Sequence, residues 1–163
     1  MSGERMPSTP AVLMLKKAGV AFTPHFYQYE EKGGAAVSAR ELGVDEHSVV
    51  KTLVMEDEQK NPLIVLMHGD RTVSTKALAR FTRVKTITPC APEVAQRHSG
   101  YRVGGTSPFG ARKKMPVYVE CSILDQPAIY INGGSRGFLV RIAPRVITSL
   151  LDATAVHVAI DPQ

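Results

Sequence analysis

Val49-Val50-Lys51-Thr52-Leu53-Val54-Met55-Glu56, Asp57-Glu58-Gln59-Lys60-Asn61 and Pro62-Leu63-Ile64-Val65-Leu66-Met67-His68 form the stretch on which the fold turns. Two apolar runs flank a polar loop of hairpin length, so Val49–Glu56 and Pro62–His68 read as paired strands. Beyond them, Gly69-Asp70 closes the second strand and Ser74–Phe81 reads as a short basic helix. Val84–Ile87 follows as a strand, and Pro92–Arg97 as a helix with proline near its start. Gly100–Gly110 is a glycine-rich loop. Val117–Cys121, Ala128–Ile131 and Phe138–Ile142 are further strands, the last two joined by the turn signal Asn132-Gly133-Gly134. Pro144 precedes a helix through Leu151, and Thr154–Ile160 is a last short strand.

Upstream, Ser8-Thr9-Pro10 supplies a cap and a first-turn proline. Ala11, Val12, Leu15 and Ala18 then give a helix its apolar stripe, and Gly19 ends it. Phe22–Tyr29 reads as a strand, and Val37–Leu42 as a short helix stopped by Gly43. About seven strands and five short helices interleave irregularly, which is a mixed α/β (α+β) pattern rather than a regular βαβ array. With 163 residues and no linker, repeat or low-complexity stretch, one domain over 1–163 is expected.

Composition excludes some functions. There is no apolar run long enough to span a membrane, and Met1-Ser2-Gly3-Glu4-Arg5 does not read as a secretory leader. Cys90 and Cys121 are the only cysteines and neither sits in a CxxC, which points to a reducing compartment, the cytoplasm. The net charge of +5 is unevenly placed. Residues 71–114 carry ten cations (Arg71, Lys76, Arg80, Arg83, Lys85, Arg97, Arg102, Arg112, Lys113 and Lys114) against the single acid Glu93. Such a segment attracts phosphate through its field and counterion release, although a solvated basic face has the same composition.

No familiar catalytic signature is present. The five histidines (His25, His47, His68, His98, His157) show no HxH or HExxH spacing, and neither cysteine lies near one in sequence, so no metal site is expected. GxSxG, GxxxxGK[ST] and GxGxxG are missing. What stands out is Gly100-Tyr101-Arg102-Val103-Gly104-Gly105-Thr106-Ser107-Pro108-Phe109-Gly110, followed by Ala111-Arg112-Lys113-Lys114. Paired glycines let a backbone approach a ligand and turn successive amides toward one oxygen, a nest for a developing oxyanion. A tight loop that only needs positive φ angles is an equal reading. Lys51, within an apolar strand, must find solvent, a carboxylate or an anionic ligand. His25 and Tyr27 share one strand face, as core, rim or site residues.

Taken in order, the Thr9-Pro10-Ala11 helix start, Lys51-Thr52-Leu53, the glycine loop and Gly133-Gly134-x-Arg136-Gly137 resemble the YbaK/EbsC family. These proteins are free-standing relatives of the editing domain in bacterial prolyl-tRNA synthetases. The resemblance covers nearly the whole chain. It implies a mostly antiparallel, barrel-like sheet with short peripheral helices and a cleft for the acceptor end of an aminoacyl-tRNA. It further implies trans-editing, the removal of cysteine from mischarged tRNA(Pro) and from tRNA(Cys), in which the substrate thiol attacks its own ester and no cofactor is used.

Carried over residue by residue, the resemblance gives Lys51, Gly104 and Gly105 catalytic positions. Tyr27, Thr52, Ser107, Pro108, Gly133, Gly134 and Arg136 become substrate-binding. Arg71, Lys76, Arg80, Arg102, Arg112, Lys113 and Lys114 are the expected RNA contacts. A prolyl-tRNA synthetase is a candidate partner, and neither membrane nor DNA is. The chain departs from the family pattern at Gly33-Gly34-Ala35-Ala36, where an aromatic residue is expected, and at Leu139, where some members carry an acid. Both bear on amino-acid preference. The competing readings are a sister-branch deacylase that uses activated water on alanyl- or seryl-tRNA, and a non-catalytic tRNA-binding module.

Overall fold

The structure is a computed structural model that describes residues 5–162; the leader reading of Met1–Glu4 lies outside the described residues. Ten strands and five α-helices interleave irregularly along the described residues. They are α1 (Pro10–Lys17), β1 (Thr23–Phe26), α2 (Gly34–Leu42), β2 (Val49–Asp57), β3 (Pro62–His68), β4 (Thr72–Val73), α3 (Thr75–Thr82) and β5 (Ile87–Pro89). After these come α4 (Pro92–Ser99), β6 (Val117–Glu120), β7 (Ile129–Ser135), β8 (Phe138–Ile142), α5 (Arg145–Leu151), β9 (Thr154–Val156) and β10 (Ala159–Ile160). Short 3-10 turns occupy Glu46–Ser48 and Cys121–Asp125. Among the described residues no helix is long and apolar enough to cross a membrane.

The main sheet runs β1-β8-β7-β2-β3-β6-β9, with β5 also on β2, and β10 pairs with β4 separately. Most pairings are antiparallel, but β2 with β7, β3 with β6 and β6 with β9 are parallel, so the sheet is mixed. β3 lies in its interior beside the central β2, buried from Leu63 to His68. Alternation sends Ile64 and Leu66 into one core cluster with α1, α4 and α5, while Leu63, Val65 and Met67 enter a second with α3. A strand covered on both faces must be apolar throughout, which is why β3 lacks a polar side. α2 closes a third cluster over Val49 and Leu139.

The helix ends follow local chemistry. Thr9 caps α1 by accepting from the Val12 amide, and Ser74 caps α3 by accepting from Ala77. The strand expected at Val84–Ile87 begins only at Ile87, because the Val84 N–H bonds back to the Ala79 carbonyl and completes the end of α3. The turn expected at Asn132-Gly133-Gly134 is instead a bulge within β7. The Asn132 Oδ1 accepts from the Gly134 and Ser135 amides at 2.6 and 3.1 Å. That side chain does the work of a turn carbonyl, and the reversal itself comes later, at Arg136-Gly137. The last expected strand divides in two, because Glu120 Oε1 accepts from Val158 and Ala159 at 2.7 and 2.8 Å. β9 therefore pairs with β6 and β10 with β4.

Leu66→Ala removes a fully buried side chain in the interior of the sheet. We expect a loss of about 2–5 kcal/mol, the range for Leu→Ala in a close-packed core, read as a lowered denaturant midpoint with unchanged slope.

Candidate functional site

β2 is paired with β3 along almost its whole length, from Val50 to Glu56. On its other edge it meets β7 only at Val49 and Val50, and β5 only at Met55, Glu56 and Asp57. Lys51 to Val54 therefore face no strand on that side. The gap is a cleft of about 810 Å³, lined by Lys51, Thr52, Leu53 and Val54 with Tyr27, Tyr29, Ala35, Val103, Gly104, Thr106, Asn132, Arg136 and Leu139. A cavity of this size is typical of small-molecule and cofactor sites, about 300–1,000 Å³.

The glycine loop forms one wall of the cleft and is tightly pinned. Tyr101 Oη donates to the Phe109 carbonyl at 2.6 Å, and the Phe109 amide donates to Ser107 Oγ at 3.2 Å. Asn132 Nδ2 donates to the Gly104 carbonyl at 3.1 Å, and Arg136 Nε to the Val103 carbonyl at 2.9 Å. Gly104 has φ +92°, and a Cβ there would sit 2.5 Å from the Tyr29 hydroxyl. Gly105 packs so closely on the hairpin that a Cβ would lie 2.9 Å from the Arg136 amide. Both positions thus require glycine, for different reasons.

The paired-amide nest does not form as expected. The Gly105 N–H is spent within the loop, on the Arg102 carbonyl at 2.8 Å. Among the described residues the Gly104 N–H has no such partner, which leaves one amide rather than two at the cleft wall.

Lys51 is half-buried, and its Nζ donates to the Arg71 carbonyl at 2.5 Å. Burial lowers its pKa, against the pull of the Glu46 and Asp70 carboxylates. One of its three ammonium donors is used by that carbonyl, and the others remain for a ligand. Asp70, on the same turn as Arg71, accepts from His47 Nδ1 at 2.8 Å and pairs with the Arg71 guanidinium at 3.1 Å. Beside Lys51, Thr52 Oγ1 is buried without a hydrogen-bond partner. That oxygen is sealed from solvent, so Thr52 lines the cleft without presenting its hydroxyl to it.

Other expected site residues are distributed more widely. Tyr27 and Arg136 line the cleft, and the Arg136 guanidinium stacks 4.8 Å over the Tyr29 ring. Arg136 also lines a smaller pocket of about 290 Å³ with Arg102, Gly105 and Gly134. Ser107 and Pro108 are buried and brace the loop from behind. Gly133 packs against the Phe138 ring, and its carbonyl accepts from Thr9 Oγ1. His25 stays outside the cleft, bonded to Thr23 and edge-on to Tyr130. Leu139 and Ala35, at the two departures from the family pattern, are both on the cleft wall.

Of the cations, Lys76, Arg80, Arg102, Arg112, Lys113 and Lys114 are exposed. Lys76 follows the cleft-lining Thr75, and Arg102 precedes the cleft-lining Val103. Arg71 differs, because Asp70 and Asp161 share its charge. Tyr29 and Asn132 were not among the expected site residues: Tyr29 read as strand and Asn132 as turn. The fold also gathers three groups of metal-ligating type: His47, His68 and Asp70; Glu56, Cys90 and His98; and Glu120, Cys121 and His157. Their members are far apart in sequence or follow no ligand spacing, so spacing alone cannot reveal them.

Comparison with known proteins yields one family model, described as the aminoacyl-tRNA editing domain, over residues 30–150. EbsC from Enterococcus faecalis, named as a candidate Cys-tRNA(Pro)/Cys-tRNA(Cys) deacylase, is 28% identical over 143 residues, 87% of each chain. Among solved structures, the protein APE2540 superposes with a TM-score of 0.85 at 22% identity, over 93% of this chain and 99% of that one. A protein described as a candidate trans-editing enzyme for prolyl-tRNA synthetase superposes with a TM-score of 0.81 at 21% identity, over 96% and 99%. At these identities the structural matches establish the shared fold.

The environment of Lys51 has a measurable consequence. We expect NMR of lysine labelled at Cε to place its midpoint below the ordinary value of 10.5. A group with this sign costs stability while it is charged, and the cost is relieved as pH rises from the folded value toward the unfolded one. A midpoint at or above 10.5 would contradict the buried setting.

Proposed function

Because the chain belongs to the aminoacyl-tRNA editing domain family, we propose that residues 1–163 act as one trans-editing deacylase of the YbaK/EbsC kind. It removes cysteine from mischarged tRNA(Pro) and from tRNA(Cys). The observation that carries this reading is the break in pairing along β2, which sets Lys51, Thr52 and Gly104 around one cleft.

The cleft holds a small amino acid next to a terminal nucleotide. Val49, Val50, Leu53, Val54 and Leu139 make its wall largely apolar. Such a wall offers a serine hydroxyl little compensation for lost water, whereas a thiol is a weak hydrogen-bonder and tolerates it. Tyr27 and Tyr29 supply aromatic faces for the terminal adenine. Lys51 holds the ester carbonyl or the ribose end with its free donors, and Thr52 bounds the substrate pocket beside it.

In the reaction the cysteine sulfur attacks its own ester carbonyl. The C–S bond forms, the ester C–O bond breaks, and the thiol proton passes to the departing ribose oxygen. Cysteine leaves as a cyclic thiolactone and the tRNA recovers its hydroxyl. The protein contributes orientation and electrostatic support to the oxyanion, from the Gly104 amide and the Lys51 ammonium. Lys76, Arg80, Arg102, Arg112, Lys113 and Lys114 draw the acceptor stem to the cleft, with a steep salt dependence. A prolyl-tRNA synthetase is the proposed partner, supplying tRNA(Pro), and the cytoplasm the proposed location.

Deacylation of cysteinyl-, alanyl-, seryl- and prolyl-tRNA(Pro), with cysteinyl-tRNA(Cys) beside them, tests the reading. Selective loss of cysteine is expected. Loss of alanine or serine instead would require an activated water, and tRNA binding without cleavage would leave a binding module. Lys51→Ala should lower the deacylation rate by about 10²–10³, the scale of one oxyanion contact, with the fold intact by circular dichroism. Undiminished activity would remove Lys51 from the mechanism.

A further inference from the structure

Away from the cleft, Glu120, Cys121 and His157 meet where β6 ends and the β9–β10 link passes over it. The Cys121 thiol lies 2.9 Å from His157 Nδ1 and 3.6 Å from Glu120 Oε2, and the three donor atoms fall within 4.8 Å of one another. Glu120 is only 5% exposed. Its Oε1 is fully engaged by the Val158 and Ala159 amides, whereas among the described residues Oε2 is bonded only by the thiol. A buried carboxylate fixed through one oxygen and aimed with the other is the arrangement that outer-sphere bonds give a metal ligand.

We propose that Glu120 Oε2, Cys121 Sγ and His157 Nδ1 form a binding site for a zinc-type divalent cation. Thiolate, imidazole and carboxylate together suit zinc, whereas magnesium and calcium take oxygen donors. Zinc bonds of about 2.0–2.3 Å at tetrahedral angles set ligands about 3.3–3.6 Å apart, so the Cys121–His157 contact opens slightly on loading. The thiol proton is released to solvent, the sulfur binds as thiolate, and exposed His157 leaves the fourth position to water.

The other two groups are less prepared. In one, both His68 nitrogens are engaged, by the His47 carbonyl and Ser122 Oγ at 2.7 Å each. In the other, His98 Nε2 and Glu56 Oε2 are hydrogen-bonded at 2.9 Å, but among the described residues the Cys90 thiol bonds to neither, so only two of the three members are joined. The proposed cation ties the β9–β10 link to the end of β6, so its effect is on stability and is independent of the deacylase reading.

Zinc titration of the metal-free full chain, by calorimetry and by competition with a chromophoric chelator, tests this directly. One equivalent and a raised Tm are expected. Cys121→Ser and His157→Ala should each weaken zinc binding by at least about 100-fold, the upper end of what outer-sphere partners alone contribute. Cys90→Ser should bind like the parent. Cobalt(II) should show a thiolate charge-transfer band that Cys121→Ser abolishes. No zinc uptake by the parent, parent-like binding by both Cys121→Ser and His157→Ala, or loss of binding in Cys90→Ser instead would overturn the proposal.

Discussion

The architecture depends on one asymmetry of hydrogen bonding, namely that β2 is satisfied along one edge and interrupted along the other. β3 takes the first edge almost end to end. β7 and β5 each take a few residues of the second and leave Lys51–Val54 between them. Backbone groups so placed need partners, and the Val54 carbonyl finds one in the Cys90 amide. A cleft in the middle of a sheet is therefore a direct product of strand pairing. The rest of the site is arranged around it: α2 on one side, the glycine loop on another, and the turn carrying Arg71 beneath the Lys51 ammonium.

Asn132 joins two parts of this arrangement. Its carbonyl oxygen holds the bulge in β7 and its amide holds the Gly104 carbonyl. The geometry of the glycine loop is thus set from the neighbouring hairpin, and the Arg136 bond to the Val103 carbonyl reinforces it. On the proposed reading, rigid placement of one amide and one ammonium is what a reaction needs when the substrate carries its own nucleophile.

Much of this was legible in the sequence. The Val49–His68 hairpin, the caps at Thr9 and Ser74 and the glycine stop at Gly43 follow from local rules, and the structure has them. The misreadings share a cause. At Val84, Asn132 and Val158 a tertiary or side-chain hydrogen bond claims an amide that local pattern assigned elsewhere. The site was legible in part. A lysine inside an apolar strand and two adjacent glycines are conspicuous, and both line or brace the cleft. That the Gly105 amide is consumed by Arg102, that Tyr29 limits the approach at Gly104, and that Asp70 and Asp161 share the charge of Arg71 are facts of packing without a local signature.

The break in β2 also bears on how such a protein changes over time. On the proposed reading one of the two oxyanion contacts, that from Gly104, is a main-chain amide, which only a change to proline deletes. The walls that judge the bound amino acid are side chains, among them Leu139 and Ala35, which sit where the chain leaves the family pattern. The chemistry then draws on the main chain as well as on Lys51, whereas selectivity rests on the wall side chains. On that reading, exchange of wall residues alters amino-acid preference while Lys51 and the glycine loop are kept.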